Sequence, residues 1–358
     1  MPINKLYHTW NMRIRQLQPT ARITRIRNIT WMIVGIYLSR SVCLSRISGK
    51  IPTKAKLLST TRRMSRLLSN PAIRPRAWYE PIARQWLATQ FQHNGEIRLI
   101  VDGTKVGFRH QLLIVCLPYR KRAVPIAWTW VKHVRGHSTA GKQLALLAYV
   151  RSLLPAGAAV FLVGDCEFGS VTVLQQLESW RWFYVLRQKA NTHLWFSEQI
   201  GWKAFGSYIH KPGQSIWLGH GYLTAFEIYP VNLLVHWKRG EKDPWCLATN
   251  MPDKQITLSF YARRMWIEEM FGDMKKHGFD LESTMLRHFS RLSRLTLVVS
   301  IIYIWLISVG TRTIRSGSRH LVDRRDRRDL CIFQIGLRFV DRCFVNSLPI
   351  QTVLCSYR

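Results

Sequence analysis

Short apolar runs separated by turn-forming residues fill the middle of the chain, from about Glu96 to Arg187. Runs of about four to eight such residues are typical of buried strands, whereas apolar residues at every third or fourth position are typical of helices. In chain order the pattern predicts three strands, a helix, a strand, a helix and a strand: Ile97 to Asp102, Gln111 to Leu117, Ala123 to Val131, Lys142 to Leu154, Ala159 to Gly164, Val171 to Trp180 and Trp182 to Arg187. A mixed α/β domain is the expected result.

The flanks of this region have other patterns, which predict four parts of the chain. We expect a helical, basic domain in residues 1–90, a core spanning 91–187 and 254–310, a β-rich insertion at 188–253, and a basic C-terminal tail at 311–358. The insertion is rich in Trp, Tyr, Gly and Pro. It contains three strand-like runs: Ser215 to Leu218, Ala225 to Tyr229 and Leu233 to Trp237.

The stretch from Tyr261 to Lys276 predicts one helix that ends near Gly278. Its apolar residues recur at helical spacing and predict a buried face, made of Phe260, Ile267, Phe271 and Met274. A second stripe places one carboxylate among a phenol, a guanidinium and an ammonium group: Tyr261, Arg264, Glu268 and Lys275. An exposed face with solvated salt bridges is the simpler interpretation of the second stripe.

Positive charge dominates the composition. The chain has 53 Lys and Arg against 20 Asp and Glu, a formal net charge of +33, and its first 79 residues contain sixteen basic residues and no acidic one. Nucleic acid and anionic membranes are the partners that such a charge favours. The helix predicted at Lys54 to Ser69 directs Arg62, Arg63 and Arg66 away from its apolar face, and we expect these arginines to bind DNA.

Cysteine usage and hydropathy favour a cytoplasmic protein. The seven cysteines are widely spread and include no Cys-x-x-Cys pair, so neither a disulfide framework nor a zinc site is predicted. The first ten residues lack the apolar core of a signal peptide. The apolar run Leu295 to Gly310 is shorter than the roughly 18 to 20 residues that a membrane span needs. We therefore expect a buried core helix there and no membrane association.

Two aspartates stand at the ends of predicted strands. Asp102 ends the run IRLIVD, and Asp165 directly follows the run AVFLVG. A carboxylate there is costly to bury unless it is paired or bound to metal, although a strand-end cap is the simpler role for either aspartate alone. If the two strands are neighbours, a helix packed across them can bring Glu268 into the same cluster. Such a cluster suits Mg²⁺ or Mn²⁺, and a pair of these ions can promote phosphodiester cleavage.

The blocks IRLIVDGT, VGDCEFGS and YARRMWIEEMFGDMKK resemble the DDE transposases of bacterial insertion sequences. The third block is similar to the Tyr-Arg-Glu-Lys (YREK) signature of the insertion-sequence-4 transposase family. The resemblance covers about residues 97–310 and implies a ribonuclease H-like mixed sheet flanked by helices, with a β-rich insertion and a helical N-terminal domain. It also implies DNA cleavage at the ends of an insertion sequence, transfer of the 3′ ends to target DNA, and a homodimer in the DNA complex.

The resemblance assigns roles to individual residues. It implies that Asp102, Asp165 and Glu268 are catalytic and hold two Mg²⁺ or Mn²⁺ ions. It further implies that Tyr261, Arg264 and Lys275 grip DNA phosphates. Glu167, two residues after Asp165, is either a spare ligand or an acidic loop residue and is left outside the triad.

The signature helix departs from the family pattern at one position. Many relatives carry Trp directly after the signature Arg, whereas this chain has Met265 there and Trp266 one position later.

Three other functions are compatible with the sequence. The chain could be a ribonuclease H-like nuclease without strand transfer or a decayed DNA-binding relative. A membrane-associated basic protein is the remaining alternative, and sedimentation with membranes would reveal it.

Overall fold

Five helices make up most of residues 2–94, and a computed structural model describes residues 2–107, 110–132, 138–196, 198, 200–224 and 226–355. The helices are α1 (Pro2–Leu17), α2 (Ile23–Ser39), α3 (Leu44–Ser48), α4 (Leu57–Ser69) and α5 (Pro75–Asn94). α5 begins with a proline, whose fixed backbone suits a helix start, and ends at Gly95, whose φ of 72° favours glycine. The helix predicted at Lys54 to Ser69 is present but begins at Leu57, because the backbone at Lys56 is not helical.

Ten strands of the described chain form one mixed sheet, in the order β3-β2-β1-β4-β5-β10-β9-β8-β6-β7. They are β1 (Glu96–Val106), β2 (His110–Tyr119), β3 (Arg122–Lys132), β4 (Ala159–Gly164), β5 (Phe183–Gln188), β6 (His193–Trp195), β7 (Lys203–Ala204), β8 (Ser215–Leu223), β9 (Tyr229–His236) and β10 (Trp245–Thr249). β1 to β3 form an antiparallel meander. β4 and β5 run parallel to β1 and are reached through α6 (Ala140–Arg151) and α7 (Val171–Ser179). These strand directions are those of a ribonuclease H-like core, so the predicted fold class is confirmed.

The strands of the predicted insertion continue the core sheet. β10 pairs with β5 on one side and with β9 on the other, and β8 follows β9. The strand predicted at Ala225 to Tyr229 is wrong: Phe226 and Glu227 form a turn, Phe226 is fully exposed, and Ala225 lies outside the described residues. The backbone at Thr224 is left-handed (φ 56°), which helps to reverse the chain so that Leu223 can pair with Tyr229.

The stretch from Tyr261 to Lys276 is not the single helix that its periodicity predicts. α8 (Lys254–Tyr261) ends at the tyrosine, a tight 3₁₀ turn covers Ala262–Arg264, and α9 (Met265–Met274) follows. The predicted apolar face is confirmed, because all four of its residues are buried: Phe260, Ile267, Phe271 and Met274. Tighter winding within a helical stretch commonly marks a functional or strained position. Here it coincides with Arg264, whose side chain turns into the interior.

A long apolar helix, α10 (Phe289–Arg315), runs through the centre of the protein and confirms the core helix predicted at Leu295 to Gly310. It is long and apolar enough to cross a membrane, but 89% of its most apolar window is buried against the rest of the chain. α10 packs on α2, α4, α5 and β3, and on α11 (Ile332–Val345). Gly310 and Gly336 allow its close approach to α11, because a Cβ on Gly310 would lie 2.0 Å from the carbonyl oxygen of Ile332.

The predicted tail, residues 311–358, contains buried structure that its sequence analysis missed. α11 buries an apolar face that includes Phe333 and Val340. Leu354 is fully buried, and its carbonyl accepts a hydrogen bond from the indole NH of Trp86 at 3.0 Å. The arginine-rich stretch at 324–328 is exposed, as expected. α11 and Leu354 therefore complete the core instead of extending from it.

A buried ion pair fixes α9 on the sheet. Arg122, the first residue of β3, donates from Nε to Oδ2 of Asp273 at 2.7 Å and contacts Oε2 of Glu269 through Nη1 at 3.1 Å. Asp273 is 1% exposed, and burial raises its pKa to about 7 although Arg122 acts to lower it. The pair therefore joins the first residue of β3 to the helix that carries Glu268.

We predict that Arg122→Met lowers the free energy of unfolding by about 3 to 5 kcal/mol, because the variant leaves Asp273 buried without its cation. Urea unfolding followed by tryptophan fluorescence measures the loss. Arg327→Met is the matched control, since Arg327 pairs with Asp329 on the surface and its loss should cost about 1 kcal/mol or less. Equal effects of the two variants would show that the buried pair contributes no more than an exposed one.

Candidate active site

The pairing of β1 with β4 brings Asp102 and Asp165 together. The two strands are parallel with Val101 opposite Gly164, so the next residue of each lies at the same edge of the sheet. Asp102 still belongs to β1, and Asp165 is the first residue after β4. A side chain at Gly164 would disturb this register, because a Cβ there would lie 2.9 Å from Cγ1 of Val101. The two carboxylates therefore lie side by side, as sites at the carboxyl ends of parallel strands commonly do.

Arg264 joins Glu268 to this pair of aspartates. Its Nη1 donates to Oδ2 of Asp102 at 2.8 Å, and its Nη2 donates to Oε1 of Glu268 at 2.8 Å. The guanidinium is buried, whereas the side chain of Glu268 is half exposed. The turn between α8 and α9 thus places one cation between two of the three predicted site carboxylates.

The cluster contains more negative charge than Arg264 can balance. Burial, followed by the neighbouring Asp165 carboxylate, raises the pKa of Asp102 to about 7, although Arg264 acts to lower it. Burial also raises the pKa of Asp165, whose Oδ1 accepts the backbone NH of Glu167 at 2.9 Å. An additional cation would therefore be stabilised at this edge of the sheet.

Tyr261 lies beside the cluster with an unsatisfied hydroxyl. Its side chain is 1% exposed, and its ring packs edge-on against Trp245 with centroids 4.9 Å apart. Burial raises the pKa of Tyr261 to about 12, so the phenol keeps its proton at neutral pH. Within the described chain, neither this hydroxyl nor Nε of Arg264 has a hydrogen-bond partner. The polar contacts of the site are therefore incomplete within the described residues.

Lys275 is held away from the carboxylates that it was expected to accompany. It follows the last residue of α9, and its Nζ donates to the carbonyl oxygen of Lys105 at 2.8 Å. The same ammonium group pairs with Oε1 of Glu282 at 2.9 Å. Neither partner belongs to the cluster. Lys275 thus joins the end of β1 to the turn that follows α9.

The arginines predicted to bind DNA lie on α4, in the helical part of the protein. Arg62 and Arg66 are exposed, and Arg63 is half-buried. α4 is tied to the core helix α10, because Arg291 donates to the hydroxyl of Ser65 at 2.7 Å. In the part of the chain that the structure describes, no hydrogen bond or ion pair joins these arginines to the carboxylate cluster.

The donor set suits Mg²⁺ or Mn²⁺, which prefer oxygen ligands. Asp102 and Asp165 fit such an ion by their chemistry and by the excess negative charge around them. As the side chains lie, no three His, Cys, Asp or Glu residues of the described chain form a group that could hold a metal ion. The position of Arg264 between Asp102 and Glu268 accounts for this. Metal ions coordinated by all three carboxylates would have to share these oxygens with Arg264 or displace it.

The sequence also matches a known family over much of its length. The family model of the transposase DDE domain matches residues 93–305, more than half of the chain. This chain belongs to the DDE transposase family. The matched range includes both aspartates of the cluster and Glu268, and DDE transposases generally use divalent metal ions.

Comparison with other proteins adds little beyond this DDE transposase domain. No curated protein matches the sequence. Among solved structures, the chain aligns with a piggyBac transposase from a cryo-EM structure of the synaptic complex with hairpin DNA, at 13% sequence identity and a TM-score of 0.44. The alignment covers 97% of this chain and 82% of that one. A likeness at this level carries no conclusion about substrate or mechanism.

We predict that Asp102→Asn changes the pH dependence of stability when divalent cations are removed with EDTA. The folded protein raises the pKa of Asp102 to about 7, above the unfolded value of about 4. The native state therefore keeps a proton that the unfolded state releases, and this group makes wild-type stability fall as the pH rises from about 4 through about 7. Asparagine does not titrate, so the variant should gain on wild type over this window, by at most about 1.4 kcal/mol per pH unit.

Urea unfolding of both proteins at several pH values measures this difference. The sign is decisive, because a carboxylate stabilised in its charged form would make wild type gain on the variant instead. Parallel curves would mean that the cluster does not perturb Asp102.

Proposed function

We propose that this protein is a transposase of the insertion-sequence-4 family with the YREK signature. It binds the ends of an insertion sequence, cuts phosphodiester bonds there and joins the 3′ ends to target DNA. One observation carries the proposal: Arg264 of the signature ties Glu268 to Asp102, which lies beside Asp165. The match to the transposase DDE domain supports the same reaction class.

In this proposal Asp102, Asp165 and Glu268 hold two Mg²⁺ or Mn²⁺ ions. When bound, such ions activate the attacking oxygen and stabilise the leaving oxygen of a phosphodiester. The chain itself contributes the placement of the carboxylates. β1 and β4 hold the aspartates at one edge of the sheet, and the pairing of Arg122 with Asp273 holds the helix that carries Glu268.

We assign Tyr261, Arg264 and Lys275 to contacts with DNA. Each of these side chains is already buried or paired within the fold. The guanidinium of Arg264 is buried, and both of its Nη groups already donate to carboxylates, so a phosphate would have to share these donors or displace Asp102 or Glu268. Tyr261 is buried next to Arg264, so its phenol can contact DNA only after a local rearrangement exposes it. The Nζ of Lys275 already contacts Lys105 and Glu282, so a phosphate would have to share its ammonium group with these partners or displace them.

The DNA partner is inferred from charge and the oligomer from the family. Residues 1–90 form the arm that binds the element's ends. They contain many basic residues and almost no acidic ones, and Arg62 and Arg66 are exposed. Residues 91–187 and 254–310 form the catalytic core, 188–253 its insertion and 311–358 the C-terminal part. We propose a homodimer in the DNA complex, as the YREK resemblance implies, and a cytoplasmic protein that associates with DNA rather than a membrane.

We predict that Glu268→Gln abolishes cleavage of the element's ends while it leaves end binding within about threefold of wild type. The substitution removes one charge from the cluster but none from the DNA-binding arm, and stabilisation of the developing charge is commonly a large part of the catalytic effect. Gel-shift and cleavage assays on the same labelled end measure the two properties separately.

Glu269→Gln is the matched control for this experiment, since Glu269 is the next residue of α9 and pairs with Arg122 outside the cluster. It should cleave at nearly the wild-type rate. Near-normal cleavage by Glu268→Gln would contradict the proposed triad. If wild type cleaves DNA ends but never joins them to a target, a nuclease without strand transfer is the better description.

We predict that Arg62→Ala/Arg66→Ala weakens end binding and lowers its salt dependence. An arginine that neutralises one phosphate adds about 0.9 to the slope of log affinity against log salt, so the slope of the double variant should be smaller by at most about 1.8. Fluorescence anisotropy at several salt concentrations measures the slope. Arg315→Ala, which replaces an exposed arginine at the end of α10, is the control. An unchanged slope in the double variant would exclude α4 from the DNA interface.

A further inference from the structure

Glu167 lies at the centre of a hydrogen-bond network beside the two aspartates. Its Oε1 accepts hydrogen bonds from the backbone NH of Ser138 at 2.6 Å and from the Ser138 hydroxyl at 2.5 Å. Its Oε2 accepts a hydrogen bond from Nε2 of Gln111 at 2.7 Å. Donors from β2 and from the residues just before α6 therefore fix this carboxylate in place.

The same network orients Asp165. The backbone NH of Glu167 donates to Oδ1 of Asp165 at 2.9 Å, so the turn that carries Glu167 also sets the direction of the aspartate. Gln143 of α6 donates to the carbonyl oxygen of Glu167 at 3.0 Å and to the hydroxyl of Ser138 at 2.9 Å. Gln111 and Gln143 are both almost fully buried, so an amide left without its partner would not be compensated by bulk water. Asp165 therefore sits in a turn that is held by side chains from two other elements.

The network reaches Asp102 through the glycine that follows it. The backbone NH of Gly103 donates to Oδ1 of Asp102 at 2.7 Å. Gln111 crosses directly over this glycine, because a Cβ on Gly103 would lie 2.4 Å from Nε2 of Gln111 and 3.2 Å from Oε2 of Glu167. The hydrogen bond between Gln111 and Glu167 thus links Gly103, the residue after Asp102, to the turn that follows Asp165.

We propose that Glu167 is a positioning residue, which sets the separation and orientation of Asp102 and Asp165. The inference rests on the proposed function, in which these two aspartates hold divalent ions. Glu167 acts through its acceptor oxygens and not as a further ligand, because both oxygens already accept hydrogen bonds from the fold. Residues that orient metal ligands in this way typically change metal affinity or activity by about 10- to 100-fold when they are replaced.

An exchange of donor and acceptor tests this role. Glu167→Gln replaces one acceptor oxygen by an NH₂, so it cannot accept from both Ser138 and Gln111 as the carboxylate does, and we expect it to weaken Mn²⁺ binding by about 10-fold or more. The double variant Glu167→Gln/Gln111→Glu restores a hydrogen bond between the two positions with its direction reversed, and leaves an amide oxygen for Ser138. We expect it to recover most of the affinity.

Electron paramagnetic resonance of free Mn²⁺, titrated with the full chain without DNA, gives the affinity. Asp102→Asn identifies the binding that belongs to the carboxylate cluster, and melting temperatures show that each variant is folded. Ser138→Ala is a milder variant for the case in which Glu167→Gln does not fold. It removes the hydroxyl donor but keeps the backbone NH, so it should weaken Mn²⁺ binding by less than Glu167→Gln.

The outcomes separate this inference from the proposed function. If wild type binds Mn²⁺ and folded Glu167→Gln, or Ser138→Ala in its place, binds it equally tightly, the positioning role is wrong and the proposed function is unaffected. If Glu167→Gln loses affinity and the double variant does not recover it, Glu167 acts through its charge as a ligand, which also overturns the positioning role. If wild type and Asp102→Asn bind Mn²⁺ alike, the proposed metal site itself fails and the inference fails with it.

Discussion

The candidate active site depends on neutralising carboxylates that the sheet holds close together. Parallel pairing of β1 with β4 places Asp102 and Asp165 at neighbouring positions, where burial disfavours the charged form of both and the Asp165 carboxylate further disfavours that of Asp102. Arg264 supplies part of the missing positive charge from a turn between two helices. The same guanidinium draws in Glu268, so the third carboxylate joins the cluster through a cation and not by direct contact. The break between α8 and α9, the depth of Arg264 and the placement of Glu268 therefore belong to one electrostatic arrangement.

The aspartates could be placed from the sequence, but the position of Arg264 could not. Strand-end reasoning succeeds for Asp102 and Asp165 because a parallel register leaves little choice about where the carboxyl ends of two neighbouring strands lie. Helical spacing correctly gave the buried face of α9, since Ile267 and Met274 are buried, but it placed Arg264 on the polar stripe, whereas the side chain is buried. Local periodicity contains no information about a tertiary ion pair with a strand 162 residues earlier in the chain.

Other differences between prediction and structure have equally local causes. The apolar residues near Phe226 suggested a strand, but the hairpin needs a turn at that place and leaves Phe226 in solvent. α11 was missed because the arginine-rich residues before it made the whole segment resemble a surface tail. The network around Glu167 could not be predicted, because its partners Gln111 and Ser138 are uncharged residues of other elements and carry no sequence signal.

The C-terminal segment has a consequence for how the protein is made. Trp10 of α1 packs edge-on against Trp305, and the indole groups of Trp86 and Trp305 donate hydrogen bonds to the carbonyls of Leu354 and Gln351. Asp341 of α11 also accepts a hydrogen bond from Tyr37 of α2 at 2.6 Å. The first helices to leave the ribosome can pack on one another, but part of their apolar surface waits for partners that are synthesised last, and such distant contacts are slow to form. A chain that ends before this segment would leave apolar surface of α10 and α2 uncovered, because α11 packs on α10 and Phe344 packs edge-on against Tyr37.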